Sequence, residues 1–438
     1  MPLNVELKKI LLIGSGPVVI GQAAEFDYSG SQASLALREE GLVSVLLNPN
    51  PATIQTDRSI ADRIYIEPIS LDIIKMIIEK EGIDAVISSV GGQTALNAAM
   101  EMHRSGMFGP HLRLLGTSPE DIERAENRTM FHELMKSINE PVPDSFLLNA
   151  QNYESSISGM QDQSYIVRTS FSLGGSGGTI VNNLDSLKTY CDQFFSENPG
   201  ESLEIEQSIQ GLIEVEYEMI RDSADNCISI CNMENLDPMG VHTGESIVVT
   251  PSQTLSDYEI QMMRSAAIKI VRALHIIGAC NIQFAIDPVS EKYYVVEVNP
   301  RTSRSSALAS KATGYPIARI STKILLGYKL PEIRNPLTKN TSAAFEPSLD
   351  YITVKIPRWP FDKISSSRKI GVQMRSVGEV MGIGANFEEA LMKAIASLDT
   401  TESRRLRLYK PRNDLLSLLR EPNDLTILIA ADLIICIS

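Results

Sequence analysis

The sequence predicts an α/β domain built on a parallel sheet, followed by a larger α+β domain and then a helical segment. Three observations carry this. Strands and helices of roughly 10–15 residues alternate over 8–117, the pattern of a parallel sheet with helices on both faces. After about 150 the pattern changes to strands joined by tight polar turns, which favours antiparallel pairing. From about 385 helical periodicity returns in EEALMKAIASL and PRNDLLSLLRE.

The elements follow in order. KILLIG (9–14) reads as a buried strand, SQASLALREEG (31–41) as a helix ending at Gly41, and VSVLLN (43–48) as a strand. LDIIKMIIEKEG (71–82) is a helix, DAVISSVGG (84–92) a strand, TALNAAMEMHRSG (94–106) a helix and RLLG (113–116) a strand. SPEDIERAENRTMFHELMKSI opens the next region as one helix, with Ser118 as cap, Pro119 at its first position and acids in its first turn. SYIVRT (164–169) and GTIVNN (178–183) are strands flanking a glycine loop. EVEYEMIRD, NCISICNMEN, NIQFAIDP and KYYVVEVNP are further strands, turning at Asp225-Asn226 and Pro288–Glu291, with a helix near 256–276.

Bulk properties narrow the function. The 438 residues allow two to four domains and carry a net charge of −14, which disfavours a nucleic-acid partner because phosphate backbones need a basic surface. The five cysteines form no C-x-x-C pair, so a reduced cytoplasm is the expected setting; Cys227 and Cys231 share a strand face and read as packing. No signal peptide is expected before the first strand, and the apolar run 425–438 contains Asp432 and is too short to span a bilayer.

Five segments bear on chemistry. In LLIGSGPVVIGQ (11–22) Pro17 and the late Gly21 break the G-x-G-x-x-G spacing, so a tight turn at the sheet edge is preferred over a dinucleotide site. In SFSLGGSGGTI (170–180) Gly174, Gly175, Gly177 and Gly178 sit between strands, where backbone N–H groups can close over a triphosphate. Arg168 on the same hairpin can fork onto a phosphate. Glu214, Glu216 and Glu218 alternate along one strand face; the plain alternative is a solvated edge, most readily at Glu218. Gln207 to Ile209, just before them, suit a linker that grips an adenosine.

Gln283, Glu297 and Asn299 fall on two strands that a short turn can pair, an oxygen-only set suited to Mg²⁺, with Arg301 next for an anion. His242, between glycines in MGVHTGES (239–246), is a candidate for contacting a reacting anion. His103, His111, His132 and His275 are assigned nothing.

The glycine hairpin and the E-x-N strand resemble the ATP-grasp superfamily. GSGPVVIGQAAEFDYSGSQA, NPNPATIQTD, VGGQTALN, MGVHTGESIVVTPSQTL and NPRTSRSSALASKATGYPIA resemble, more narrowly, the amino-terminal, carboxyphosphate-forming half of the carbamoyl-phosphate synthetase large subunit, over about 8–385. The resemblance implies a pre-ATP-grasp α/β domain over 1–117, an ATP-grasp domain over 118–385 with a lid at about 140–207, and the start of a helical oligomerisation domain over 386–438.

It implies ATP-dependent phosphorylation of bicarbonate to carboxyphosphate and then reaction with ammonia to give carbamate. By motif, Arg128 and Arg168 would contact the nucleotide, Gly174 and Gly175 would cover its phosphates, and Gln207, Ile209 and Glu214 would line the adenosine pocket beside Gly240, Val241 and His242. Gln283, Glu297 and Asn299 would hold Mg²⁺ or Mn²⁺, and Arg301, Arg304 and His242 would act on bicarbonate or carboxyphosphate.

The implied partners are a glutaminase small subunit, a chain carrying the carbamate-phosphorylating half, and further copies in an oligomer. Because that half and the family's regulatory domain lie beyond the match, the chain is expected to be a split-gene product or a truncated form. Three departures stand out: Thr169 replaces the usual Pro, Gln207 the usual Glu, and Leu212-Ile213 the usual Trp-Lys. Glu206 is expected to face away and not to substitute for the lost charge. The alternatives are another ATP-grasp ligase such as biotin carboxylase, and an inactive scaffold subunit.

Overall fold

A computed structural model of the chain describes residues 7–17, 25–169, 179–361, 369–371 and 374–398. The first layer holds β1 (Lys9–Ile13), α1 (Glu25–Glu39), β2 (Val43–Leu47), β3 (Arg63–Tyr65), α2 (Leu71–Glu81), β4 (Ala85–Ile87), α3 (Gly92–Arg104) and β5 (Arg113–Leu114). Its strands are all parallel, in the order β3-β2-β1-β4-β5. β1 is apolar on both faces because helices cover both, and Ile10 to Ile13 are essentially fully buried. α2 stops where Gly82 takes φ +64, a left-handed cap that glycine adopts without steric cost. Within this layer β3 is the strand that the sequence reading leaves out; its RIY lacks a buried run and marks the sheet edge.

Residues 119–137 depart from expectation. Two helices form, α4 (Pro119–Glu126) and α5 (Arg128–Ser137). Asn127 between them is extended (ψ 115°), and its Oδ1 accepts the Met130 N–H at 3.1 Å. An Asn side chain that can cap a new helix competes with continuation of the old one. The break puts Arg128 at the first position of α5.

A small sheet follows: β6 (Ser145–Asn149), α6 (Tyr153–Ile157), β7 (Tyr165–Thr169), β8 (Thr179–Val181), α7 (Leu184–Glu197) and β9 (Ser202–Gln207), with strand order β6-β9-β7-β8. Its apolar face packs on α7 through Leu187, Cys191 and Phe195. The glycine loop, with Gly174 and Gly175, lies outside the described residues.

The main sheet comprises β10 (Ile213–Arg221), β11 (Cys227–Asn235), β12 (Val248–Thr250), β13 (Gly278–Ile286), β14 (Tyr293–Asn299), β15 (Ile352–Arg358) and β16 (Gly378–Gly384). All its pairs are antiparallel, in the order β14-β13-β10-β11-β12-β15-β16. The turns at Asp225 (φ 67°) and Glu291 (φ 57°) fall where the sequence places them. α8 (Asp257–Ala273) covers one face, while α9 (Arg304–Thr313) and α10 (Ile317–Leu325) pack elsewhere on the sheet. α10 also docks on α1, where Lys323 meets Glu40 at 2.8 Å. α11 (Phe387–Ser397) packs on β15 and β16; the expected helix in PRNDLLSLLRE and the apolar run 425–438 lie outside the described residues. No helix among the described residues is long and apolar enough to cross a membrane.

Candidate active site

A cleft of about 560 Å³ opens between the small sheet and the main sheet. Ile166, Arg168, Ile180 and Glu206 line it from the small sheet, and Glu214, Glu216, Asn281, Gln283, Glu297 and Asn299 from the main sheet. The loop from Met239 to Gly244, the start of α9 and Gln93 of α3 close the remaining sides.

The floor is set by register. In the antiparallel ladder Glu216 stands opposite Gln283, and Gln283 opposite Glu297, so three oxygen-bearing side chains form a row across β10, β13 and β14. The next row is Glu218, Asn281 and Asn299. A β-bulge after Gln283 shifts the register so that Phe284 faces Val295, leaving Val296 unmatched beside Glu297. Asn299 Nδ2 donates to Glu297 Oε1 at 2.9 Å, and its Oδ1 accepts from Arg301 Nη2 at 2.8 Å. The structure therefore brings Gln283, Glu297, Asn299 and Arg301 together.

The three alternating glutamates are buried, not solvated. β10 is an interior strand, and Glu214, Glu216 and Glu218 are at most 3% exposed. The edge reading fails for Glu218 in particular: it accepts from Asn281 Nδ2 (2.9 Å), Ser303 Oγ (2.8 Å) and Ser306 Oγ (2.8 Å). Burial pushes its carboxyl up to about 8 and raises Glu214 and Glu216 as well, with Glu216 adding repulsion to Glu214. Glu216 Oε1 is buried with no hydrogen bond among the described residues. A crowded set of carboxylates with one unsatisfied oxygen, beside two amide side chains, fits a divalent cation. Among the described residues no three His, Cys, Asp or Glu side chains are grouped so as to hold a metal by themselves, so a cation here would also need the amide oxygens and oxygens of its substrate.

His242 Nδ1 accepts the Gly244 N–H at 2.9 Å. Burial, then the nearby Arg304 and Lys355 charges, pull its pKa down to about 4, so the ring is neutral near pH 7. With Nδ1 occupied as acceptor, Nε2 carries the proton and is a donor. Gly240, Val241, Ile209 and Arg304 also line the cleft.

Two expected placements need correction. Gln207 is not among the lining residues: its Nε2 donates to Tyr294 Oη at 3.1 Å and its Oε1 accepts from the Asp144 N–H at 3.3 Å. Glu206 instead faces the cleft, bonded to Arg168 Nη1 at 3.1 Å and paired with Arg128. The reason is strand parity: Arg168 and Glu204 pair across β7 and β9, so 204 and 206 share the face of 168. Arg128 does not line the cleft and reaches it through Glu206. Gln93, Asn281 and Lys355 also line the site and are not among the expected residues; Gln93 belongs to a quoted motif, Asn281 shares a strand face with Gln283 two residues on, and Lys355 carries no local signal.

A small antiparallel sheet and a larger one flanking a carboxylate-floored cleft, beside a parallel domain, define the ATP-grasp class. The chain matches three family descriptions: "Carbamoyl phosphate synthase preATP-grasp domain" over 6–124, "Carbamoyl-phosphate synthase L chain, ATP binding domain" over 127–333, and "Carbamoyl-phosphate synthetase large chain, oligomerisation domain" over 379–435. It is 62% identical over 425 residues to the carbamoyl phosphate synthase large chain of Thermoplasma volcanium, covering 97% of this chain and 40% of that protein. It is 52% identical over 401 residues to the arginine-specific large chain of Halalkalibacterium halodurans, covering 91% and 38%. A biotin carboxylase structure from Campylobacter jejuni shares the fold at TM-score 0.65 and 15% identity, covering 96% of this chain and 98% of that one. The chain belongs to the carbamoyl-phosphate synthase large-chain family, and spans about two fifths of the length of these curated relatives.

Proposed function

We propose that this chain carries the carboxyphosphate-forming unit of carbamoyl-phosphate synthesis. A bicarbonate oxygen attacks the γ-phosphorus of ATP, the bond to the β–γ bridging oxygen breaks, and ADP leaves. Ammonia then attacks the carboxyphosphate carbon and expels phosphate, giving carbamate. Bicarbonate is a poor electrophile, and phosphorylation supplies the leaving group.

One observation carries this reading: the row Glu216–Gln283–Glu297 meets Arg301, Arg304 and a neutral His242 in one cleft. Gln283, Glu297 and Asn299 would hold Mg²⁺ or Mn²⁺. When bound, such an ion neutralises phosphoryl oxygens and polarises the phosphorus. Arg301 and Arg304 would hold the bicarbonate and the charge that develops on it. His242 Nε2–H would donate to the transferring group. Arg168, and Arg128 behind it, would meet the nucleotide phosphates, with Ile209, Glu214, Gly240 and Val241 around the adenosine. The loop with Gly174 and Gly175 would exclude water, which destroys carboxyphosphate.

In this reading 1–117 supports the site, 118–385 performs the chemistry with its lid at about 140–207, and 386–438 begins an oligomerisation domain. A glutaminase subunit would supply ammonia, a second synthetase half would phosphorylate carbamate, and the setting would be cytoplasmic. ADP release with Mg²⁺, measured with and without bicarbonate, tests the reading. Release should rise several-fold with bicarbonate and be indifferent to free biotin. Release indifferent to bicarbonate would count against it.

A further inference from the structure

The motif VGGQTALN (90–97) precedes and opens α3, in the first layer and distant in sequence from the main sheet. Its two glycines have a steric reason. A Cβ on Gly91 would stand 2.2 Å from the Ile13 carbonyl oxygen and 2.7 Å from that of Gly14. Gly92 has φ +67, and a Cβ there would press on the Phe26 ring at 3.0 Å. Only with both glycines does the helix begin hard against the end of β1, and the next side chain, Gln93, enters the cleft.

Every polar valence of Gln93 is used there. Oε1 accepts from Arg301 Nε at 3.1 Å and from Nη2 at 2.9 Å. Nε2 donates to Asn97 Oδ1 at 3.0 Å and to Glu126 Oε2 at 2.5 Å. A guanidinium only donates, so the amide cannot be reversed without setting NH₂ against it. The remaining Arg301 nitrogen, Nη1, donates to the Thr302 carbonyl at 3.2 Å. Next in the chain, the N–H and Oγ1 of Thr302 both reach the Ser89 carbonyl at 2.9 Å. The first layer thus grips the segment after β14 by both backbone and side chain.

We propose that Gln93 is a positioning residue for the reaction: it fixes the plane of the Arg301 guanidinium in the cleft by accepting two of its hydrogen bonds, and so ties the first domain to the chemistry of the second. This rests on the bicarbonate-phosphorylating reading for its kinetic consequence. Through Asn299, the same chain of hydrogen bonds runs from Glu126 to Glu297. Rotation of the guanidinium by the loss of Gln93 would misplace the group that holds the attacking oxygen, without touching the adenosine end of the cleft.

The test uses the whole chain and three variants. Gln93→Met keeps length and removes the acceptor. It should lower kcat for bicarbonate-dependent ADP release about 10–100-fold, as small misplacements do, and leave the KM for ATP within about threefold. Gln93→Glu combined with Glu126→Gln keeps an acceptor facing Arg301 and a hydrogen bond behind it. That pair should recover most of the loss, whereas Gln93→Glu alone sets two carboxylates together and should not. Separately, labelling of Arg301 by phenylglyoxal, read by peptide mass spectrometry, should speed up several-fold in Gln93→Met. Unchanged kcat and unchanged labelling would overturn the inference. So would a fall in kcat with a matching fall in thermal midpoint and no recovery in the pair, which is the signature of a merely structural role. If the wild type shows no bicarbonate-dependent release, the proposed reaction falls, and the labelling still decides whether Gln93 holds Arg301.

Discussion

Glu206 Oε2 lies 3.1 Å from Arg168 Nη1, and the same carboxylate pairs with Arg128. One anion therefore occupies both arginines that the family resemblance assigns to the nucleotide. The two charges are half-sheltered rather than fully exposed, so the pairing is not dissipated by solvent alone. A triphosphate entering the cleft must share or displace it.

Glu206→Gln removes this internal competitor. Nucleotide binding, measured by calorimetry with Mg²⁺, should tighten about threefold to tenfold, and its salt dependence should steepen. Arg168→Ala should weaken binding by a similar factor. Gln207→Ala should change affinity less than either, because Gln207 spends its amide on Tyr294 and Asp144.

Glu297→Ala removes the carboxylate at the β14 end of the oxygen-bearing row. Bicarbonate-dependent turnover should fall by about 100-fold or more, the scale of losing one fixed electrostatic contact to the transferring group. The thermal midpoint without metal should not fall, since the substitution relieves repulsion on Glu214 and Glu216. Full turnover in this variant would remove the metal assignment.

Stability should depend on pH in a particular direction. Glu218 has its carboxyl raised to about 8 by burial in the folded state, against an ordinary value near 4.5. Between those limits the folded chain binds more protons than the unfolded one, so stability falls as pH rises. The metal-free thermal midpoint should be lower at pH 8.5 than at pH 6.5. Glu218→Gln keeps the shape without the charge and should flatten that slope.

Asn127→Ala should destabilise the chain by about 1 kcal/mol, through the lost cap on α5. Because Arg128 is the next residue, nucleotide affinity should fall with it. A stability loss without an affinity change would detach Arg128 from the nucleotide site.

Much of this was legible in the sequence for physical reasons. The parallel layer shows because its central strands β1, β2 and β4 are apolar runs and its helices are amphipathic. Gln283, Glu297 and Asn299 show as oxygen-bearing side chains on two strands that the turn at Pro288–Glu291 joins, but regular pairing from that turn would set Gln283 against Val296; the bulge after Gln283, which no local pattern states, brings Glu297 opposite it. Other features were hidden. The break at Asn127 is a contest between helix continuation and side-chain capping, and an unbroken apolar period masks it. The burial of Glu218 depends on β10 lying between β11 and β13, an order that no local pattern states. The family's acidic position points to Gln207, whereas the parity with Arg168 turns Glu206 to the cleft, and that parity depends on a strand pairing that no local pattern states. Gln93 was visible as a motif, but its partner Arg301 lies 208 residues away.

The central claim is that bicarbonate itself attacks ATP in this cleft, and the fate of an oxygen atom tests it most directly. Turnover with bicarbonate labelled in all three oxygens with the heavy isotope, in unlabelled water, should yield phosphate carrying one labelled oxygen, seen by mass spectrometry soon after mixing. Phosphate released without label, at a rate unaffected by bicarbonate, would mean that water is the nucleophile and would contradict the account.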